Sequence, residues 1–174
     1  TELTVSAWVK TTKDGTIFSQ ANQEGKWIPD GKTFFIREGR LCYDVGWVGV
    51  VTSEREVADG ACHHVAFTWN PDSEMVTLWI DGAGVATGHL PPEGPVEEQV
   101  IRVGYTATDF PGTSWFTGAM DGVRIHTDGL DGETIRAVAA ESGEPMAEAF
   151  ALRGPETGTF SIDPKGEFVE LAFG

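Results

Sequence analysis

Glu54 and Glu56 stand at alternating positions of a short strand-like stretch, a spacing that turns two carboxylates to one side. Glycoside hydrolysis needs two carboxylates flanking the scissile bond, about 5 to 9.5 Å apart. No third acidic residue joins this pair in register, and Asp72, Glu74, Asp81, Asp128, Asp131 and Glu133 fall in turns or beside a helix. A solvated strand face is the better account of the pair. His63 and His64 are adjacent in a strand, so they point to opposite faces and cannot share a metal. No serine sits in a nucleophile elbow, and no phosphate-cradling glycine loop occurs in strand–turn–helix context. Catalysis is not supported.

The aromatic residues offer a different chemistry. Trp27 ends the polar loop Asn22-Gln23-Glu24-Gly25-Lys26-Trp27, and Trp47 is flanked by glycines in Val45-Gly46-Trp47-Val48-Gly49. Tyr105, Asp109, Phe110 and Trp115 occupy one long loop between two strands. Sugar rings stack their apolar faces on exposed aromatics while Asp, Asn, Gln and Arg take the hydroxyls, so this set is the candidate ligand-binding group. Hydrophobic cover over the rim of a sheet accounts for these residues equally well. Trp8, Trp69 and Trp79 occupy strand positions and read as packing.

The chain has 174 residues, and its ten Phe and six Trp supply too much apolar mass for a disordered segment. That length suits one domain with a sizeable core. Its net charge is −15. Such a field repels phosphate and disfavours nucleic acid or an anionic membrane, while suiting calcium, neutral sugars or cationic partners. No apolar run approaches the ~20 residues of a membrane helix. Two cysteines, Cys42 and Cys62, are too few for a disulfide scaffold or a zinc site. They are read as buried thiols in strands, with a disulfide between them as the alternative.

The dominant period is two. Leu3, Val5, Ala7 and Val9 alternate with Thr4, Ser6 and Trp8; Val65, Phe67 and Trp69 do the same, and so do Val76, Leu78 and Ile80. Thr33 to Arg37 and Arg40 to Val45 flank Glu38-Gly39 as a two-residue hairpin. Asp81-Gly82 closes another strand tightly, and 91–95 reads as a proline-rich loop. Val100 to Gly104 and Ala119 to His126 complete the series. One helix is expected from Asp131 or Gly132 to Ser142-Gly143, with Ile135, Val138 and Ala139 on one face. The end of the chain reads as a hairpin, Thr159 to Ile162 and Phe168 to Phe173 about a turn at Asp163-Pro164-Lys165-Gly166. Short strands, glycine-rich turns and one late helix predict an all-β antiparallel sandwich.

Three blocks carry a resemblance. They are Leu3-Thr4-Val5-Ser6-Ala7-Trp8-Val9-Lys10; Gly60-Ala61-Cys62-His63-His64-Val65-Ala66-Phe67-Thr68-Trp69 with Val76 to Gly82; and Ile101 to Gly104 with Phe116 to His126, Leu130 and the helix. Together they resemble the laminin-G-like, concanavalin A-like jelly rolls, which include pentraxins and β-glucanases, from residue 3 to about 143. The family usually carries tryptophan where this chain has Cys62, just before the two histidines. The family's opening strand is missing before Leu3, while Gly166-Glu167-Phe168-Val169-Glu170-Leu171 resembles it. A circularly permuted jelly roll, or one cut out of phase from a tandem array, explains this, with a coincidental extra hairpin as the alternative. The first reading makes residues 1–174 one domain in which 159–174 replaces the opening strand and lies near residue 3.

The resemblance implies a two-sheet jelly roll outside the cell or on its surface, and a non-catalytic module that binds carbohydrate or glycoprotein. The alternative is a structural or protein–protein interaction module without a glycan ligand. The resemblance also implies calcium as cofactor, with Asp121 in the ligand position of the block 118–125. Companion oxygens are expected from the region of Glu167 and from loop 21–31.

Overall fold

The computed structural model describes residues 2–91, 99–141, 159–162 and 169–172. Among these residues twelve strands and one helix follow one another: β1 Leu3–Lys10, β2 Gly15–Asn22, β3 Lys32–Arg37, β4 Arg40–Val45, β5 Gly49–Glu56, β6 Cys62–Asn70, β7 Met75–Ile80, β8 Ala83–His89, β9 Gln99–Val103, β10 Ala119–His126, α1 Gly132–Glu141, β11 Thr159–Ile162 and β12 Val169–Ala172. They form a seven-stranded sheet, β11-β12-β10-β1-β6-β7-β8, and a five-stranded sheet, β5-β4-β3-β2-β9. Neighbouring strands pair antiparallel throughout. The expected jelly-roll sandwich with one short helix is what the chain builds.

Alternation sets the two faces. Val5, Ala7 and Val9 of β1 are fully buried between the sheets, and Phe67 and Val65 of β6 lie in register with them. Phe67 meets Phe34 at 5.2 Å, Phe18 at 6.0 Å and Tyr43 at 4.4 Å between ring centroids, so one side chain of the larger sheet joins three strands of the smaller one. Along one side the sheets close with β5 against β8, where a Cβ on Gly88 would collide with Val51.

The hydroxyl of Tyr43 is buried in this core with no hydrogen-bond partner among the described residues, and burial pushes the phenol far above its ordinary range. A buried unpaired hydroxyl costs about 1 kcal/mol or more. Tyr43→Phe is therefore expected to raise stability by about 1 kcal/mol in urea unfolding. A loss of that size instead would show that the hydroxyl has a partner.

Turns follow their residues. Glu38 and Gly39 both take positive φ, 52° and 74°, as a tight two-residue hairpin requires. The carboxylate of Asp14 accepts both their N–H groups, at 2.9 and 3.0 Å, which offsets the unfavourable φ of the glutamate. Asp131 caps α1 by accepting the Thr134 N–H at 2.8 Å, and Ile135 is fully buried. Of the expected helical face, Val138 and Ala139 are only half-buried.

Two strands lack the alternation on which the sequence reading relied. A register shift between Thr16 and Phe18 turns Ile17 and Phe18 both inward, so β2 shows no period of two although it is paired on both sides. β8 is rich in Gly and Ala and largely exposed at a sheet edge. Cys42 and Cys62 lie in different sheets and no disulfide joins them. The expected loop from residue 92 on, the helix stop at Ser142-Gly143 and the turn 163–166 fall outside the described residues. β12 pairs with β10 through Val123↔Leu171 and Ile125↔Val169, and β10 in turn pairs with β1.

Candidate functional site

The face of the five-stranded sheet that points away from the core is polar at its centre, with Thr16, Ser19 and Thr33 all buried. Buried hydroxyls need partners, and the loop 104–118 supplies them. Ser19 Oγ donates to the Tyr105 carbonyl at 2.8 Å, Thr16 Oγ1 to the Thr113 carbonyl at 3.0 Å, and the Thr33 and Thr106 hydroxyls share a bond of 2.9 Å. The long loop is therefore fastened across the sheet.

Phe110 anchors its middle. The ring is 6% exposed and packs edge-on to Phe35 at 5.0 Å and Trp27 at 4.9 Å, beside Cys42 and Ala107. Phe110 thus faces the sheet, which removes its ring from direct ligand stacking. Asp109 accepts the backbone N–H of Trp27 at 2.6 Å, tying loop 22–31 to loop 104–118. Phe110 supports the two loops from within, and Asp109, itself exposed, ties them together.

What they support is a groove of about 420 Å³, with Trp27, Asp44, Trp47, Val48, Val50 and Pro111 among its lining residues. Trp27 is half-buried in its wall. Gly46 lets that wall form: the Asp30 N–H donates to its carbonyl and its own N–H to the Gly31 carbonyl, and a Cβ there would collide with the Ile28 carbonyl. Trp47 tops the β4–β5 turn, 71% exposed. Its φ is +63°, a left-handed conformation that bulky residues avoid and glycine accepts freely. The fold thus carries a largely exposed indole at a turn position suited to glycine.

Asp44 was not among the residues singled out from sequence. It sits on β4 opposite Thr33 and Val50, half-buried, and burial pushes its carboxyl up to about 6 against the partial opposition of Arg37. No hydrogen-bond donor reaches its carboxylate among the described residues. The alternation of β4, which sends Leu41, Tyr43 and Val45 inward and Cys42 and Asp44 outward, is the signal that could have found it. Pro111 and Val50 carried no such signal.

Tyr105 and Trp115 form a separate aromatic surface. Their rings stack at 4.1 Å and 30°, their backbones make an isolated bridge, and Trp115 is 41% exposed. Arg102 lies 5.9 Å from the Tyr105 ring centroid and donates to the Gln23 carbonyl at 3.0 Å. Neither aromatic residue lines the groove beside Trp47.

Asp121 is exposed on β10, opposite Trp8, and its carboxylate accepts the N–H of Gly122 at 2.8 Å. Among the described residues no group of three or more His, Cys, Asp and Glu side chains is arranged to hold a metal. The companion position at Glu167 lies outside the described residues. His63 and His64 do diverge: His63 Nδ1 lies 2.9 Å from Asp81 Oδ2 and Nε2 3.1 Å from Asp59 Oδ1, whereas His64 packs edge-on to Trp8 at 5.4 Å. Glu54 and Glu56 are both exposed.

A sandwich of this topology defines a concanavalin A-like jelly roll. The family model described as the concanavalin A-like lectin/glucanases superfamily, Laminin_G_3, matches residues 1–136, and the chain belongs to that family. Human pentraxin-related protein PTX3 is 29% identical over a 130-residue alignment that covers 67% of this chain and 32% of that protein, so the chain spans about a third of this relative. Among solved structures, the CBM40 of the Ruminococcus gnavus IT-sialidase, bound to α2,3 sialyllactose, superposes with a TM-score of 0.64 at 16% identity, covering 80% of this chain and 83% of that one. Domain 4 of an extracellular arabinanase from Geobacillus stearothermophilus, in complex with arabinotriose, gives 0.60 at 18% identity, covering 79% and 66%. At these identities the structural matches establish the fold. No helix among the described residues is long and apolar enough to cross a membrane.

Proposed function

We propose that this domain is a non-catalytic carbohydrate-recognition module, acting outside the cell or on its surface, and that it takes a glycan in the groove beside Trp47. The observation that carries this reading is the indole of Trp47, exposed at positive φ beside a second tryptophan and a carboxylate. Strained backbone persists where function uses it, and aromatic stacking of a sugar face is the chemistry an exposed indole offers here. The sialyllactose and arabinotriose complexes of fold relatives agree with a sugar ligand. We also propose that the terminal hairpin replaces the family's opening strand, a reading supported by the pairing of β12 with β10.

Trp47→Gly separates binding from folding. Glycine suits the turn, so stability is expected to hold or rise by up to about 1 kcal/mol, while glycan affinity falls by about tenfold or more. Glycan-array binding and thermal unfolding of both proteins read the two effects. A blank array for the wild-type protein would move the assignment to a protein-interaction module, whose sign is capture of a protein partner without any glycan response. Calcium enters only through Asp121. Running the array in calcium and in EDTA, with Asp121→Asn alongside, tests it. Binding unchanged in all three removes the metal from the proposal.

A further inference from the structure

Among the described residues that line the groove beside Trp47, one is charged, and it is acidic. Asp44 presents its carboxylate there from near the end of β4, a strand paired on both sides. No donor from the described residues occupies it. A carboxylate accepts hydrogen bonds on two oxygens and donates none when ionised, so it pairs with two neighbouring hydroxyl donors. The cation nearest in effect is Arg37, which is spent over the Phe35 ring at 5.5 Å and does not line the groove. An anionic substituent placed in the groove would face Asp44 without a countercharge from the described residues, within a chain of net charge −15.

Resting on the carbohydrate reading above, we infer that Asp44 is the specificity-determining residue of the groove: it accepts hydrogen bonds from two adjacent hydroxyls of an uncharged sugar ring lying against Trp47, and it excludes sugars bearing carboxylate or sulfate. The sialyllactose-bound fold relative makes this a discriminating claim, since its ligand carries the charge that Asp44 rejects. Asp44 and Trp47 both contribute to how firmly a neutral sugar is held, and Asp44 sets which sugar is accepted.

Matched pairs decide it. Wild type, Asp44→Asn and Trp47→Gly are titrated against neutral gluco-, galacto-, manno- and arabino-oligosaccharides, and against lactose with its sialylated and sulfated forms. Circular dichroism checks that each variant is folded. The expected result is neutral binding by wild type with at least tenfold weaker binding of the charged partner, loss of about tenfold on neutral glycans in Asp44→Asn, and a narrower gap between neutral and charged forms in that variant. A wild-type preference for the charged member overturns the inference while leaving a carbohydrate site. So does neutral binding that Trp47→Gly abolishes and Asp44→Asn leaves intact. Absence of any glycan binding by the wild-type protein instead overturns the carbohydrate reading on which the inference rests.

Discussion

Phe67→Ala is expected to cost about 4 kcal/mol, the largest effect of any single truncation considered for this chain. The ring is fully buried and touches Phe18, Phe34 and Tyr43, which belong to three successive strands of the opposite sheet. Truncation removes the transfer free energy of the ring and leaves a hole that β-sheets on both sides are too stiff to fill. Against a typical domain stability of 5 to 15 kcal/mol, that loss takes a large share. Phe67→Leu keeps most of the volume and is expected to cost less than half as much. Urea unfolding reads both: with a slope of about 1–3 kcal/mol per molar, the alanine variant should unfold at least 1 M earlier. A loss below about 1.5 kcal/mol would mean that the sheets repack, and that the four-ring contact is not what joins them.

Acid should destabilise the protein through His64. Its side chain is 1% exposed, its Nδ1 has no partner among the described residues, and burial pushes its pKa down to about 4, helped by Arg124 and opposed by Asp81 and Glu141. Because the folded value lies below the unfolded one of about 6.5, the unfolded chain binds more protons between these limits. Stability is therefore complete above pH 6.5 and declines as the pH falls towards 4. The contribution of His64 alone is about 2 kcal/mol between pH 6.5 and 4.5. Asp44 works in the opposite direction over the same range. Its folded value of about 6 exceeds the unfolded one, so its contribution is present in acid and fades as the pH rises through about 6. Partial exposure screens it to roughly 1 kcal/mol. Wild type should thus lose stability on acidification, His64→Gln should lose less, and Asp44→Asn should lose more. Unfolding midpoints measured from pH 4.5 to 7.5 check all three. A His64→Gln profile parallel to wild type would show that another group carries the acid response.

Much of this architecture is written locally. Period-two alternation specifies a strand because successive side chains of extended chain point to opposite faces, and β1, β3, β4, β6, β7 and β10 carry that pattern or sit beside a decisive turn. Glu38-Gly39 and Asp81-Gly82 fix their hairpins because the turn must pass through positive φ. Trp47 was legible for a related reason: flanking glycines and a hairpin context leave no partner to bury it. β2 was not legible. Its bulge sends two consecutive residues inward, and a bulge is a property of the pairing rather than of the strand.

The site divides the same way. Residue type and loop position were enough to nominate Trp27, Trp47, Tyr105, Asp109, Phe110, Trp115 and Asp121, but they could not tell a ligand contact from a support. That distinction depends on what lies opposite each side chain across the fold. Phe110 turns inward because Phe35 and Cys42 leave an apolar surface on the outer face of the sheet, and Asp109 is taken up by an N–H 82 residues away in the chain. Asp44 looked like an ordinary outward residue of an alternating strand. It becomes the polar group of a groove because loop 22–31 and Pro111 rise beside it. The sequence by itself determined the sandwich, the turns and the supply of aromatic and acidic side chains, since these follow from local geometry. Tertiary structure alone decided which of them face solvent together, because that depends on contacts between segments far apart in the chain.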